Sequence, residues 1–152
     1  MPGKLVKRLR SGRYQLRLDA DERALLRGLP KQLRELLLTD DPSLLRLFPT
    51  AYTDDPAREA DYQQLMREDL LELHRGALEV MEETIDAADL DEEQLIAWMK
   101  AVNQMRLVLG TRLEVTEDMY EEGVDPEDPR APGFALYSYL GWLQEHIVQA
   151  LS

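Results

Sequence analysis

Residues 91–109, DEEQLIAWMKAVNQMRLVL, repeat apolar side chains at the spacing of an α-helix. Asp91 opens this helix, and the acidic residues Glu92 and Glu93 suit the positive end of its dipole. The following Gly110 is expected to kink the helix or to let a neighbouring element approach closely. The predicted core face consists of Leu95, Trp98, Met99, Val102, Met105 and Leu109.

A second helical pattern begins at Asp19, which is a good N-cap. Glu22 follows three positions later and completes a capping-box pattern. Pro30 interrupts the leucine stripe, so the helix either kinks at Pro30 or a second helix begins there. The leucines of this stripe are Leu25, Leu26, Leu29, Leu33, Leu36 and Leu37.

Two longer stretches complete the predicted helices. One has Asp55 as its cap and Pro56 in its first turn, and it runs to about Ile85. The other runs from about residue 134 to residue 151 and follows a proline-rich acidic loop at residues 121–133. The predicted apolar side of the first stretch is Tyr62, Leu65, Met66, Leu70, Leu73, Ala77, Val80 and Met81.

The segment KLVKRLRSGRYQLRL at residues 4–18 predicts a β-hairpin with its turn at Ser11-Gly12. An isolated hairpin is only marginally stable in water, so this one is expected to pack on the helices. The predicted fold is mainly α, with an N-terminal β-hairpin packed on a bundle of about four longer helices. We expect one domain over residues 1–152, with a basic arm at 1–18 and a helical body at 19–152. The candidate inward residues of the hairpin are Leu5, Leu9, Tyr14, Leu16 and Leu18.

Charge is distributed unevenly along the chain, whose net charge is −12. Residues 1–17 hold six basic and no acidic side chains, whereas the rest holds 12 basic and 30 acidic ones. The basic segment is either a contact surface for nucleic acid or an acidic partner, with Tyr14 available for stacking, or a solvated strand face that prevents aggregation. Its basic residues are Lys4, Lys7, Arg8, Arg10, Arg13 and Arg17.

The motifs of common enzyme classes do not occur in this sequence. The chain contains no cysteine, and His74 and His146 do not form a metal-binding spacing. No serine lies in a nucleophile motif, and there is no glycine-rich nucleotide loop. We therefore predict a protein that is not an enzyme and has no metal site and no cofactor. Without a transmembrane stretch or a signal-peptide core, we expect a cytoplasmic protein with no membrane contact.

Polar residues interrupt the apolar pattern of the helix predicted at residues 91–109. Asn103 and Arg106 are three positions apart and therefore share a side of the helix. Arginine is rarely buried without a partner, and Glu68 or Asp69 on the preceding helix could supply one. The alternatives are an inter-helix ion pair that fixes the packing and an anion or peptide site that Arg106 shares with Arg112, as in a small-ligand binder or an uncharacterised enzyme.

Several strings of this sequence resemble the actinobacterial domain-of-unknown-function family 2017, the family of AosR-like oxidative-stress regulators, often encoded beside the adaptor ClpS. The strings are RLVLGTRLEVTE at 106–117, EDPRAP at 127–132, WLQ at 142–144, DADE at 19–22 and PTAYTDDP at 49–56. The resemblance covers nearly the whole chain and implies a protein without established enzyme activity.

The resemblance also implies a regulatory, partner-binding role in stress-linked transcription or Clp-linked proteolysis. In the AosR branch the response to oxidants uses cysteine, so a disulfide switch cannot carry over to this chain. Arg106, Thr111 and Arg112 of the shared motif serve either the core or a partner site.

A homodimer is a further expectation, because the apolar stripes of several helices exceed the needs of one small core.

Overall fold

The structure, a computed structural model that describes residues 4–152, confirms a mainly α-helical fold with an N-terminal hairpin packed on helices. A 3-10 helix at Pro42–Leu47 lies between the second and third α-helices. The strands are β1 (Val6–Arg8) and β2 (Tyr14–Leu16), and the helices are α1 (Ala20–Arg27), α2 (Leu29–Leu36), α3 (Pro56–Glu83), α4 (Glu92–Leu113), α5 (Glu117–Glu122) and α6 (Ala131–Leu151).

Helix α4 forms the centre of the packing, because it contacts α2, α3, α6 and the 3-10 helix. Leu95, Trp98 and Val102 of its predicted core face are fully buried. The indole N–H of Trp98 donates a 2.7 Å hydrogen bond to the hydroxyl of Thr84, which satisfies the polar atom of this buried ring. Gly110 lets α6 approach closely, since a Cβ atom there would lie 3.0 Å from the ring of Tyr137.

Capping boxes begin α1 and α4. The carboxylate of Asp19 accepts a hydrogen bond from the N–H of Glu22, whose side chain accepts one from the N–H of Asp19. Asp91 and Gln94 make the same two contacts at the start of α4. These bonds satisfy helix N–H groups that would otherwise lack partners. Both starts are therefore fixed by residues three positions apart in the sequence.

The structure decides the question at Pro30 and changes two predicted boundaries. Pro30 lies in the first turn of α2, so two helices form instead of one kinked helix. Helix α6 begins at Ala131, before the predicted start, because Pro132 fits its first turn. The predicted loop from residue 121 is partly helical, since α5 ends at Glu122.

The predicted apolar side of α3 is wrong at three positions. Leu65, Met66 and Leu73 are 74%, 38% and 67% exposed, whereas Leu78 and Met81 are fully buried. Helix α3 has leucines on more than one side, as the half-buried Leu71 illustrates. A repeat of apolar residues cannot indicate which side neighbouring helices cover.

The hairpin is attached to the helical body through both strands, because β1 packs on α6 and β2 bonds to the segment before α4. Val6 pairs with Leu16 in the antiparallel register, and Gly12 occupies the turn with a φ of +87°. Leu90 lies in the segment just before α4. The backbone N–H groups of Tyr14 and Leu90 each donate a 2.8 Å hydrogen bond to the carbonyl of the other residue. Four of the five predicted inward residues are buried, as is Val6, while Leu9 is half-buried.

Candidate functional site

The hairpin and α6 enclose a cleft with a volume of about 640 Å³. This volume lies in the range of ordinary ligand sites, roughly 300–1,000 Å³. Apolar lining comes from Leu5, Val6 and Ala150. The polar and aromatic residues that line the cleft are Lys4, Arg8, Arg17, Glu22, Trp142, His146 and Gln149.

The lining of the cleft is cationic. Lys4, Arg8 and Arg17 are exposed, and within residues 4–152 none of them forms an ion pair with a carboxylate. The Nε atom of Arg17 donates only to the side chain of Gln15, at 3.4 Å. Glu22 is the one carboxylate among the lining residues. The cleft therefore presents a net positive charge on a protein with a net charge of −12, and it attracts anionic groups.

Glu22 is held in place by contacts on both of its carboxylate oxygens. One oxygen accepts from the N–H of Asp19, and the other accepts from the hydroxyl of Tyr139 at 2.7 Å. Burial and then the hydrogen bond to Glu22 raise the pKa of Tyr139 above its ordinary value, so this hydroxyl keeps its proton and donates. The contact connects α1 to α6 beside the cleft.

Trp142 gives the cleft an aromatic surface. Trp142 is 47% exposed, whereas Leu143 and Ile147 of the same helix are fully buried. The Trp142 ring contacts Tyr139 and His146, with ring centroids 5.8 Å and 4.6 Å apart. A tryptophan that neighbouring rings support offers a large apolar face with little conformational entropy to lose.

The structure divides the six predicted basic residues into three groups. Lys4, Arg8 and Arg17 line the cleft, and Lys7 and Arg10 are exposed outside it. Arg13 forms an ion pair with Asp89 and thereby attaches the hairpin turn to the α3–α4 loop. The aromatic lining of the cleft was not identified from the sequence. Trp142 and His146 could have indicated it, because they are four positions apart and therefore share one side of α6.

The expected ion pair between Arg106 and Glu68 or Asp69 is wrong for the described residues. Both acids are exposed on α3, whereas α4 directs Arg106 toward α6. The Arg106 guanidinium carbon lies 5.6 Å from the ring centroid of Tyr137, and Nη1 donates weakly to the Tyr137 hydroxyl at 3.4 Å. The Arg106 side chain passes Gly141 of α6, where an added Cβ would lie 3.6 Å from its Cδ, an ordinary van der Waals contact.

Arg112 contacts a different element. It donates to the hydroxyl of Ser43 at 3.2 Å and to the carboxylate of Asp41 at 3.3 Å, which ties the 3-10 helix to the end of α4. Hydrogen bonds from the hydroxyl and the N–H of Ser43, and then the charge of Arg112, lower the pKa of Asp41. Arg112 also borders an apolar groove of about 530 Å³ between α2, α4 and α6.

The polar residues that the sequence analysis grouped on α4 therefore do not form one shared site. Arg106 and Arg112 are six positions apart, about 1.7 helical turns, and they contact different elements. The Thr111 hydroxyl donates to the Leu107 carbonyl of its own helix at 2.9 Å, and Asn103 is half-buried. This geometry favours packing roles for Arg106 and Arg112 over a shared anion site.

His74 joins α3 to the 3-10 helix. Its Nε2 lies 2.8 Å from the carbonyl oxygen of Leu47, and its ring packs edge-on against Phe48. His74 is half-buried, and its ring nitrogen bonds to the last residue of the 3-10 helix. Over residues 4–152, no group of three or more histidine and acidic side chains is arranged to hold a metal ion. No helix in the same range is long and apolar enough to cross a membrane.

A family model described as "Domain of unknown function (DUF2017)" matches residues 4–151. The chain belongs to this family. The DUF2017 chain is 31% identical to "Putative oxidative stress regulator AosR" of Mycobacterium leprae, over 74% of this chain and 59% of the relative. It is 30% identical to "Oxidative stress regulator AosR" of Mycobacterium tuberculosis, over 73% and 58%.

The resemblance inferred from the sequence strings is thus confirmed at the level of the family. The chain spans less than two thirds of the length of these curated relatives. Their names describe regulators and not enzymes. No solved structure matches this DUF2017 chain.

Proposed function

We propose that this protein is a non-enzymatic regulator that binds a protein partner, in stress-linked transcription or in Clp-linked proteolysis. The names of its AosR relatives support a regulatory role in oxidative stress. The observation that carries the proposal is a cationic hairpin face on an otherwise acidic protein. The cationic hairpin face denotes the exposed basic residues of the hairpin, on either side of its strands, namely Lys4, Lys7, Arg8, Arg10 and Arg17.

The charge distribution gives the interaction a direction. An acidic partner is attracted to the cationic hairpin face and repelled by the body, which holds 30 acidic and 12 basic side chains. Such complementarity raises the association rate and orients the two proteins. Because the chain has no cysteine, oxidation of a thiol within it cannot switch this contact. An oxidative signal would then reach the complex by a route other than a thiol of this chain.

Affinity purification of the full-length protein from its host, under native and oxidising conditions, tests this proposal. The comparison is a variant with Lys7, Arg8, Arg10 and Arg17 changed to glutamine. We expect the wild type to retain a specific partner that the variant loses, while circular dichroism shows an unchanged helix content. Recovery of no specific partner under either condition, or equal retention by the variant, would reject the proposal.

Direct DNA binding through the cationic hairpin face is the second candidate, because the same exposed cations could contact phosphates. Tyr14 is buried and cannot add the base stacking that the sequence suggested. Fluorescence anisotropy with a duplex should then give a log–log salt slope of about −0.9 per phosphate contacted. Absence of binding at low salt would exclude this candidate.

A second copy of the chain is a further candidate partner. Leu65 and Leu73 are eight positions apart and lie exposed on one side of α3, where an apolar surface favours association. Light scattering at two protein concentrations distinguishes a dimer from a monomer. Changing both leucines to glutamine should abolish a dimer that uses this surface, and a persisting dimer would assign it elsewhere.

A further inference from the structure

We infer that the cleft between the hairpin and α6 binds an acidic linear segment of a partner protein, and that this segment carries one large apolar side chain. The acidic groups contact Lys4, Arg8 and Arg17, and the apolar side chain packs on Trp142. This inference rests on the proposed function, because it names the element of the partner that the cationic hairpin face recognises.

The positions of the three cations fit an extended chain. Lys4 and Arg8 are four positions apart on the first arm of the hairpin, at most about 13 Å, since β1 covers only Val6–Arg8 and Leu5 before it is a bend. Arg17 lies across from this arm, since its N–H donates to the carbonyl of Leu5 at 2.7 Å. Three exposed cations on two arms of the hairpin match several anionic groups in a row. Successive carboxylates along a peptide can contact all three cations.

The other wall of the cleft is suited to an apolar side chain. Trp142 is half-exposed and is supported by Tyr139 and His146, while Leu5 and Val6 line the opposite side. Burying an apolar group on a preorganised indole contributes strongly to protein–protein affinity. The arrangement therefore combines electrostatic attraction with one apolar anchor, which gives selectivity beyond charge alone.

A peptide fits this lining better than a small anion or duplex DNA. Sites for small ligands place a few fixed polar groups around the ligand, whereas Lys4, Arg8 and Arg17 are exposed side chains on two arms of the hairpin. Duplex DNA would contact the rim cations but has no group to bury on the indole.

The test is fluorescence anisotropy with the full-length protein and two fluorescein-labelled 12-residue peptides of glutamate and aspartate. One peptide carries a central leucine, and the other has alanine in its place. We expect the leucine peptide to bind, and the change Trp142→Ala to weaken it about tenfold while the alanine peptide changes little. Binding of both peptides with equal affinity would overturn the apolar anchor, and binding of neither would overturn the inference.

A matched pair of variants separates the cleft from the cationic hairpin face as a whole. Arg8→Gln/Arg17→Gln removes two charges from the cleft, and Lys7→Gln/Arg10→Gln removes two charges from the same hairpin outside it. We expect about tenfold weaker binding of the leucine peptide for the first pair and less than about threefold for the second. Equal losses would reject recognition in the cleft and leave the proposed function intact.

Competition distinguishes the other occupants. Inorganic phosphate and a DNA duplex are added at constant ionic strength, and we expect neither to displace the leucine peptide. Displacement by phosphate at low millimolar concentration would assign the cleft to small anions, and displacement by the duplex would favour DNA. The proposed function fails by a separate result, namely that affinity purification from the host recovers no specific partner.

Discussion

The hydroxyl of Tyr139 in α6 donates a 2.7 Å hydrogen bond to Glu22 in α1, which lies 117 positions earlier in the chain. The other carboxylate oxygen of Glu22 accepts from the N–H of Asp19 and completes the capping box of α1. One side chain therefore joins the start of α1 to the middle of α6. This contact lies beside the cleft, whose lining includes Glu22 and the neighbouring Trp142.

Replacement of Tyr139 by phenylalanine should destabilise the fold by about 1 kcal/mol, the usual net contribution of one such hydrogen bond. Urea denaturation at pH 7 measures the difference. The exchange Tyr62→Phe is the control, because Tyr62 is half-buried but its hydroxyl makes no hydrogen bond within residues 4–152. Equal stability of wild type and Tyr139→Phe would contradict the role of this contact.

The hydrogen bond between Tyr139 and Glu22 also predicts that the stability of the fold changes with pH in the alkaline range. The folded state raises the pKa of Tyr139, so its contribution is fully present below the pKa of an unfolded tyrosine, about 10. As the pH rises above that value, the unfolded state loses the proton more readily and this contribution decreases. The stability difference between wild type and Tyr139→Phe should therefore shrink between pH 9 and pH 11. A constant difference would show that ionisation of Tyr139 is not involved.

The change Gly110→Ala should destabilise the protein, although alanine normally favours a helix by about 1 kcal/mol over glycine. A Cβ atom at position 110 would meet the ring of Tyr137 at 3.0 Å, and Phe134 and Arg106 restrict that ring. Gly76→Ala is the matched control, because a Cβ there meets nothing within 4 Å. Thermal denaturation should show a higher Tm for Gly76→Ala and a lower Tm for Gly110→Ala. A higher Tm for both variants would mean that α6 shifts readily to accommodate the added Cβ atom.

Asp41 predicts an effect at acid pH. Its folded-state pKa is lowered, so its contribution is present above the pKa of an unfolded aspartate and is lost as the pH falls through the folded pKa. Asp41→Asn should destabilise the protein at pH 7, and the difference from wild type should decrease as the pH falls below about 4. Urea titrations across that range measure it, with the exposed neighbour variant Asp40→Asn as control. An equal effect of both variants would refute a specific contact with Ser43 and Arg112.

Hydrogen exchange should reveal how the hairpin is held. The amides of Tyr14 and Leu90 bond to each other's carbonyls, so they should exchange at similar rates through one opening event. Arg13→Gln removes the ion pair with Asp89 and should accelerate both amides, whereas Lys7→Gln should not. Two-dimensional NMR in D₂O measures these rates. Independent rates for the two amides would indicate that the hairpin and the helices open separately.

Much of the fold could be predicted because its signals are local. The capping box of Asp19 and Glu22, the turn at Gly12 and the start of α3 after Asp55 each depend on residues within four positions of one another. Interactions between residues so close in the chain can be recognised directly from the sequence. The lack of cysteine is equally certain, and it alone excludes a thiol switch within this chain.

Only the tertiary structure decided which helix sides face each other. The sequence shows the apolar side chains of α3 but not that Leu65 and Leu73 remain exposed, since this depends on how the neighbouring helices rotate about their axes. The same rotation turns Arg106 toward Tyr137 and away from Glu68. The cleft arises likewise, because Trp142 meets the hairpin cations only when the two ends of the chain pack together.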